Sequence, residues 1–468
     1  MSLILYDLGL LVIFLIFITV FLYKRKKNVQ KEGLLLLYPT KWGIKLIEKV
    51  GKKYKKTLNV LSYISVGLGY LLMAYAVYTI GQLVWIYAFE PLVVQTIKMP
   101  PLMPLLPYVP QAFNINFLPP FYFISWIVII AVIAIPHEFF HGIFAARRKV
   151  GVKKTGFGFF PSFFPVFLAA FVELDEKKMS KKKIFHQLSV LSAGTFANVL
   201  TGILFLFIFI GFFSLAYTPS GIMFDTYATD TIAIAGISAV NNISTHNMSF
   251  ENIINLTDEE SLNKIYIGEK EYLSTRDILE KQKDNEENII VYHSAPAINA
   301  RLQSVILKIN DNTLTSIDDL TLELSKYSPG EKITLNLLAE DEEDYDLDII
   351  LEAHPENESK AWLGVGFYGS ADRLISLKDS NTYYELELGE LTEFIYNLLW
   401  WIILICISVA ILNMIPMGIF DGGRFFYLTI LGITKNKKIA INSYKFMTQL
   451  ILFLAILTMI LWAYHMFF

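Results

Sequence analysis

The sequence predicts an α-helical polytopic membrane protein of about six transmembrane helices, carrying a re-entrant β-hairpin and an inserted extracytoplasmic α+β domain. Three observations predict it: long apolar runs, clusters of Lys and Arg on alternate sides of those runs, and one long polar stretch between the fourth and fifth. Of 468 residues, 54% are hydrophobic and 18% charged, where soluble chains carry roughly 25% charged residues. A net charge of -3 gives no case for nucleic acid, and the single cysteine, Cys406, excludes a disulfide framework or a Cys-based metal site.

A bilayer requires about 20 apolar residues per helix. Candidate spans cover about 3–23, 58–88, 121–145, 187–216, 391–415 and 441–466, with the fifth continuing as a broken segment to about 430. The first is followed by Lys24-Arg25-Lys26-Lys27 and reads as an anchor, not a cleavable signal. Residues 24–57 hold twelve Lys and Arg and residues 147–183 hold ten, whereas 89–120 hold only Lys98. The positive-inside bias puts both termini and residues 217–390 outside the cytoplasm. The chain therefore divides into N-terminal helices with a basic cytoplasmic linker and a Pro-rich outer segment (1–120), a first part of the membrane core (121–216), the insert (217–390), and a second part of the core with the last helix (391–468).

Two apolar stretches do not read as simple helices. Residues 91–120 hold eight prolines, too many for an unbroken helix, and are expected along the outer interface. The run Gly156-Phe157-Gly158-Phe159-Phe160-Pro161 to Phe171-Val172-Glu173-Leu174 is aromatic and proline-punctuated, which favours edge strands. Non-helical backbone at membrane depth needs protein or a wet cavity around it. A re-entrant hairpin beside the site and a loop on the cytoplasmic interface both satisfy that requirement.

In the insert, β-type runs occur at Ile289–Tyr292, Leu302–Leu307, Ile333–Leu337 and Leu347–Leu351, and a helical pattern runs from Ile317 to Tyr327 with Ser316 as N-cap. Ser294-Ala295-Pro296-Ala297, Ile309-Asn310-Asp311, Ser316–Leu320 and Pro329-Gly330-Glu331-Lys332 resemble a PDZ domain over about 289–370. Gln303-Ser304 stand where that family has Gly-Asp. Leu363–Phe367 is either a carboxylate-binding loop or an exit strand, and residues 220–288 are too polar to assign.

The chemistry is concentrated in His137-Glu138-Phe139-Phe140-His141. On a helix, residues i and i+4 share a face about 5–6 Å apart, so both histidines can hold one Zn²⁺ with Glu138 in reach of an activated water as general base. The apolar run Ile127–Ile135 precedes them, and titratable groups there are costly unless they face a bundle interior or a wet cavity. The bland alternative is a helix end meeting the headgroups, because Arg147 lies only about 9 Å of helix beyond His141. A third ligand is required. Asp421, in Asn413-Met414-Ile415-Pro416-Met417-Gly418-Ile419-Phe420-Asp421-Gly422-Gly423, is the best candidate, with a helix N-cap as its alternative. His186, His246, His293, His354 and His465 lie in less suitable places.

His137–His141, Asn413/Pro416/Asp421/Gly422 and Ala193-Gly194-Thr195-Phe196-Ala197-Asn198 together resemble the site-2 protease family of intramembrane zinc metalloproteases, with Thr195 where that family has proline. The resemblance implies one zinc per chain held by His137, His141 and Asp421, with Glu138 as base. It also implies Asn198 and Asn413 near substrate or oxyanion, their alternative being interhelical hydrogen bonds. Transmembrane segments of membrane-anchored proteins are then the substrates. A strand containing Phe157, Phe159 and Phe171 would receive the unwound segment by β-augmentation. Competing readings are a CAAX-type membrane zinc protease with a Glu ligand, a metal-stabilised scaffold or transporter, and an inactive relative.

Overall fold

The computed structural model describes residues 3–467 except 34, 104, 114, 116, 161–166, 247, 260, 286, 304, 340–342 and 368–375. The turn of the expected hairpin (161–166) and Ser304 therefore lie outside the described residues. The chain forms two compact units, Met1–Phe212 with Glu393–Phe468, and Phe213–Thr392.

In the first unit, α1 (Leu3–Lys24) leads through β1 (Gln30–Glu32) and β2 (Leu35–Thr40) to α2 (Ile44–Lys53) and α3 (Lys55–Phe89). Short helices α4 (Pro91–Ile97) and α5 (Val109–Ala112) follow, then α6 (Phe123–Arg147), β3 (Val152–Phe160), β4 (Phe167–Leu174), α7 (Glu176–Met179) and α8 (Ile184–Ala216). Among the described residues, six helices are long and apolar enough to cross a membrane: α1, α3, α6 and α8, and two in the C-terminal part, Glu390–Asn413 and Lys437–Phe467. A 14-residue helix, Asp421–Thr434, stands between those two.

The Pro-rich stretch is mostly non-helical, and indole and phenol donors take up carbonyls that its prolines leave without an N–H partner. Tyr87 donates to the Met99 carbonyl over 2.7 Å, Trp126 to Leu105 over 2.9 Å and Trp401 to Pro120 over 3.3 Å. The buried Asp7 of α1 does similar work. Its carboxylate accepts from the backbone N–H of Phe123 (2.6 Å) and Ile124 (3.0 Å) and from the Tyr108 hydroxyl (2.5 Å). Tyr122, at the N-cap of α6, supplies no side-chain cap, so α6 is capped by a residue of another helix.

The strands β1-β2-β3-β4 form one antiparallel sheet in that order. Leu37 faces Gly158 and Tyr38 faces Phe157, while Phe157 faces Ala170 and Thr155 faces Val172. The expected hairpin is therefore half of a larger sheet, because the Leu-rich segment after the first span pairs with it. β3 is flanked on both sides. The outer edge of β4 is not paired with a strand among the described residues.

Among the described residues, the second unit contains two larger antiparallel sheets and two two-stranded ones. We label β5 (Tyr217–Met223), β6 (Thr229–Ala233), β7 (Ala239–Val240), β8 (Ile243–Ser244), β9 (Asn263–Ile267), β10 (Lys270–Ser274), β11 (Asn288–His293), β12 (Val305–Ile309), α9 (Ile317–Leu324), β13 (Lys332–Leu338), β14 (Asp344–Ile350) and β15 (Thr382–Leu386). One sheet runs β6-β11-β10-β9-β7-β8 around Ile232, Val240, Ile265 and Val291. The other runs β14-β13-β12-β5-β15 and packs with α9 around Ile306, Leu320, Leu335 and Leu337. Residues 289–370 are thus divided between both sheets, with β11 in the first. Ser316 caps α9, accepting from the Asp319 N–H. Val365–Gly366 pairs with Thr226–Tyr227 as a short strand. The C-terminal helices are α10 (Glu390–Asn413), α11 (Asp421–Thr434) and α12 (Lys437–Phe467).

Candidate metal centre

Two turns of α6 put His137 and His141 on one buried face, 8% and 9% exposed. The His141 Nδ1 lies 2.7 Å from the Val190 carbonyl of α8. A carbonyl only accepts, so Nδ1 carries the proton and Nε2 presents a lone pair. The two Nε2 atoms are 3.1 Å apart, and Asp421 Oδ2 lies 3.1 Å from His141 Nε2 and 3.5 Å from His137 Nε2. Tetrahedral ligands at about 2.0–2.1 Å from one ion stand about 3.3 Å from each other. These three residues could hold a metal ion.

The α8 wall opposite is cut to the same purpose. A Cβ on Gly194 would lie 2.3 Å from His141 Nε2 and 2.5 Å from His137 Nε2. Only a glycine leaves the lone pairs room to converge on a third body. Asp421 reaches them because the chain folds back after α10. At Gly422 a Cβ would strike the Met414 carbonyl carbon at 2.4 Å, and at Gly423 the Met417 oxygen at 2.3 Å. The turn 414–420 thereby packs on the first residues of α11. One turn further, Arg424 makes a two-pronged contact with Glu176 of α7 at 3.0 and 2.7 Å.

The Glu138 Oε2 accepts the Val172 N–H of β4 over 2.9 Å. Strand alternation then turns Ala170 and Leu168 to the same free edge as Val172. A cavity of about 300 Å³ lies along it, lined by Ile129, Ile133, His137, Glu138, Ala170 and Asn413 among others.

The other expected residues divide. Asn413 lines this cavity. Asn198 is completely buried, with its amide 3.1 Å from His137 Nδ1. It stands on the far side of the imidazole from the cluster, in the interhelical contact that is the alternative to a place beside substrate. With Nε2 turned to the cluster, Nδ1–H needs an acceptor. The Asn198 Oδ1, otherwise buried without a partner, supplies one once the amide is turned over. The expected substrate strand needs correction. Phe159 is 4% exposed and packs on Ile18 and Leu22 of α1, and β3 has no free edge, so neither Phe157 nor Phe159 belongs to a receiving strand. Phe171 is on the edge strand, and with Phe157, Trp42 and Phe139 it walls a small recess beside Glu138.

Sequence reasoning missed Asp7, Gly194 and the Val172 amide. An acid inside an apolar helix was a legible signal for the first; the other two act through a missing side chain and a backbone group.

The model of peptidase family M50 matches residues 125–329 and 362–457, which include His137, Glu138, His141, Asn198, Asn413 and Asp421. No curated protein sequence matches the chain.

Proposed function

The chain belongs to peptidase family M50, the site-2 protease family, and from that membership we propose that it is an intramembrane zinc metalloendopeptidase cleaving transmembrane segments of membrane-anchored proteins. The observation that carries this reading is the His137–His141–Asp421 triangle, in which both histidines and the neighbouring Glu138 stand on a helix of membrane-spanning length and Asp421 begins α11. One zinc per chain would be held by these three side chains, and it supplies Lewis acidity toward water and a peptide carbonyl. Glu138 takes the proton of the attacking water and returns it to the leaving amine. Asn413, on the cavity wall, donates to the carbonyl oxygen as charge builds there. Val190 and Asn198 hold the two imidazoles in the tautomer that leaves Nε2 bare.

A helical substrate hides its carbonyls in its own hydrogen bonds and must unwind before attack. The free edge of β4 offers Leu168, Ala170 and Val172 to the extended chain as backbone partners, beside the cavity that holds His137 and Glu138. The basic segments 24–57 and 147–183 set the site toward the cytoplasmic side and residues 217–390 on the opposite side.

The test is to purify the protein, measure zinc, and compare wild type with Glu138→Gln on a model transmembrane substrate. We expect Glu138→Gln to keep its zinc and lose about 10²–10⁴-fold in cleavage. Undiminished cleavage by that variant, or full zinc retention by Asp421→Ala, would overturn the assignment.

A further inference from the structure

A second concavity lies at the Arg147 end of α6, away from the metal centre. Its volume is about 460 Å³, and Lys52 of α2, Lys55 of α3, Arg147, Lys149 and Lys178 of α7 line it, against one carboxylate, Glu48. Glu48 is taken by Lys52 at 3.0 Å, and Lys178 by Asp175 at 3.2 Å. Among the described residues, no carboxylate pairs with Lys55, Arg147 or Lys149. Five cations from three stretches of chain thus converge on one recess with an excess of positive charge.

The depth of the recess follows from α2. This helix packs tightly on α6, since a Cβ on Gly51 would lie 2.8 Å from the Ala146 Cβ. Trp42 (61% exposed) and Tyr54 (48% exposed) stand at its two ends, and Leu46 (55% exposed) lies between them. Exposed amphipathic rings of this kind sit at headgroup level in a bilayer. Rings at that level would set the lysines beside them at the height of lipid phosphates.

We propose that this recess binds a phosphate-bearing anion, the headgroup of an acidic lipid. Basic pockets between membrane helices take such headgroups. Charges that only fix orientation act wherever they stand on the cytoplasmic side and need no concavity, so position distinguishes a binding recess from a general positive bias. Bound here, the ligand would bridge the last turn of α6 to α7, the helix that follows the edge strand β4.

The test uses the full-length protein in neutral detergent, with bound ligand counted by native mass spectrometry. The probes are a short-chain phosphatidylinositol phosphate, phosphatidylcholine of equal chain length, and inorganic phosphate. Lys55→Gln with Lys149→Asn removes two charges from the recess; asparagine suits the positive φ of 58° at position 149. Lys24→Gln with Lys27→Gln removes the same charge outside it. We expect wild type and the outside pair to retain the inositide, and the recess pair to bind roughly 25-fold more weakly, at about five-fold per cation. Inositide retention without binding of inorganic phosphate alone supports a lipid ligand. Inorganic phosphate binding as tightly supports the same site with a free phosphate as its ligand. Equal weakening by both variant pairs overturns the proposal, as does equal retention of phosphatidylcholine by wild type, a comparison that needs no variant to fold.

Discussion

The Val172 N–H donates to the Glu138 carboxylate over 2.9 Å, so the edge strand β4 and the residue assigned as base share one hydrogen bond. A substrate strand adding at Val172 needs the same N–H. Under the proposed β-augmentation, docking would compete for the contact that holds Glu138, and strand addition and release of the base would be one event.

Val172→Pro deletes this donor at an edge position, where proline is tolerated. Docking then no longer has to break a hydrogen bond to a charged group, worth about 1.5–3 kcal/mol, which offsets the substrate's lost partner at Val172. KM should therefore rise less than in Ala170→Pro, with zinc content unchanged. Ala170→Pro removes the neighbouring edge N–H, which has no tie to Glu138, and should raise KM more than it lowers kcat. Identical kinetic profiles for the two variants would show that the Glu138 contact has no special part.

Gly194→Ala should be harmless to α8 as a helix, since alanine is favoured over glycine by about 1 kcal/mol in helix interiors. Its Cβ would nevertheless fall 2.3 Å from His141 Nε2. The expected result is a protein with wild-type thermal unfolding in the absence of metal and far less than one zinc per chain. Elemental analysis checks it.

Asn198→Leu should weaken zinc binding by about 10–100-fold, the usual effect of losing an outer partner of a ligating histidine. Asn198→Asp keeps an acceptor for His137 Nδ1–H and should retain affinity. Competition against a chelator measures both, and equal loss in the two variants would remove the orienting role from the amide.

In the insert, the Lys326 ammonium, with help from Tyr327 and Asn312, holds the buried Glu323 carboxyl below the usual carboxylate range. A group with a depressed folded-state pKa stabilises the fold above its unfolded value and loses that contribution as pH falls through the folded one. Glu323→Gln should therefore cost about 1–2 kcal/mol at neutral pH, and the gap to wild type should close in acid. Hydrogen exchange across α9 at the two pH values reads the difference.

The membrane helices were legible because apolar runs of Ile, Leu and Phe leave no alternative in lipid. The histidine pair was legible because i,i+4 spacing is a local fact. Asp421 needed a motif, since only the fold-back of residues 414–420 brings it to α6. The sheet was half legible: Phe157 to Val172 read as strands, but Leu35–Thr40 did not, as its partner lies more than a hundred residues away. Residues 220–288 hid a sheet because β7 and β8 are two residues long and carry no periodicity. For Asn198 the sequence left a place beside substrate and an interhelical hydrogen bond both open, and its contact with His137 Nδ1 resides in a ring's orientation that no sequence pattern encodes.

The Asp7 cap bears on how the molecule is made. The carboxylate is synthesised with the first helix, yet its partners Tyr108 and Phe123 follow 101 and 116 residues later. At about 5–20 residues per second, translation leaves it without them for roughly ten seconds. Throughout that interval the acid is held by its place near the end of α1 (Leu3–Lys24), where it costs less than the about 2.5–3.5 kcal/mol of an acid at a helix centre. The contact that joins α1 to the start of α6 is thus a late one, made only when α6 arrives.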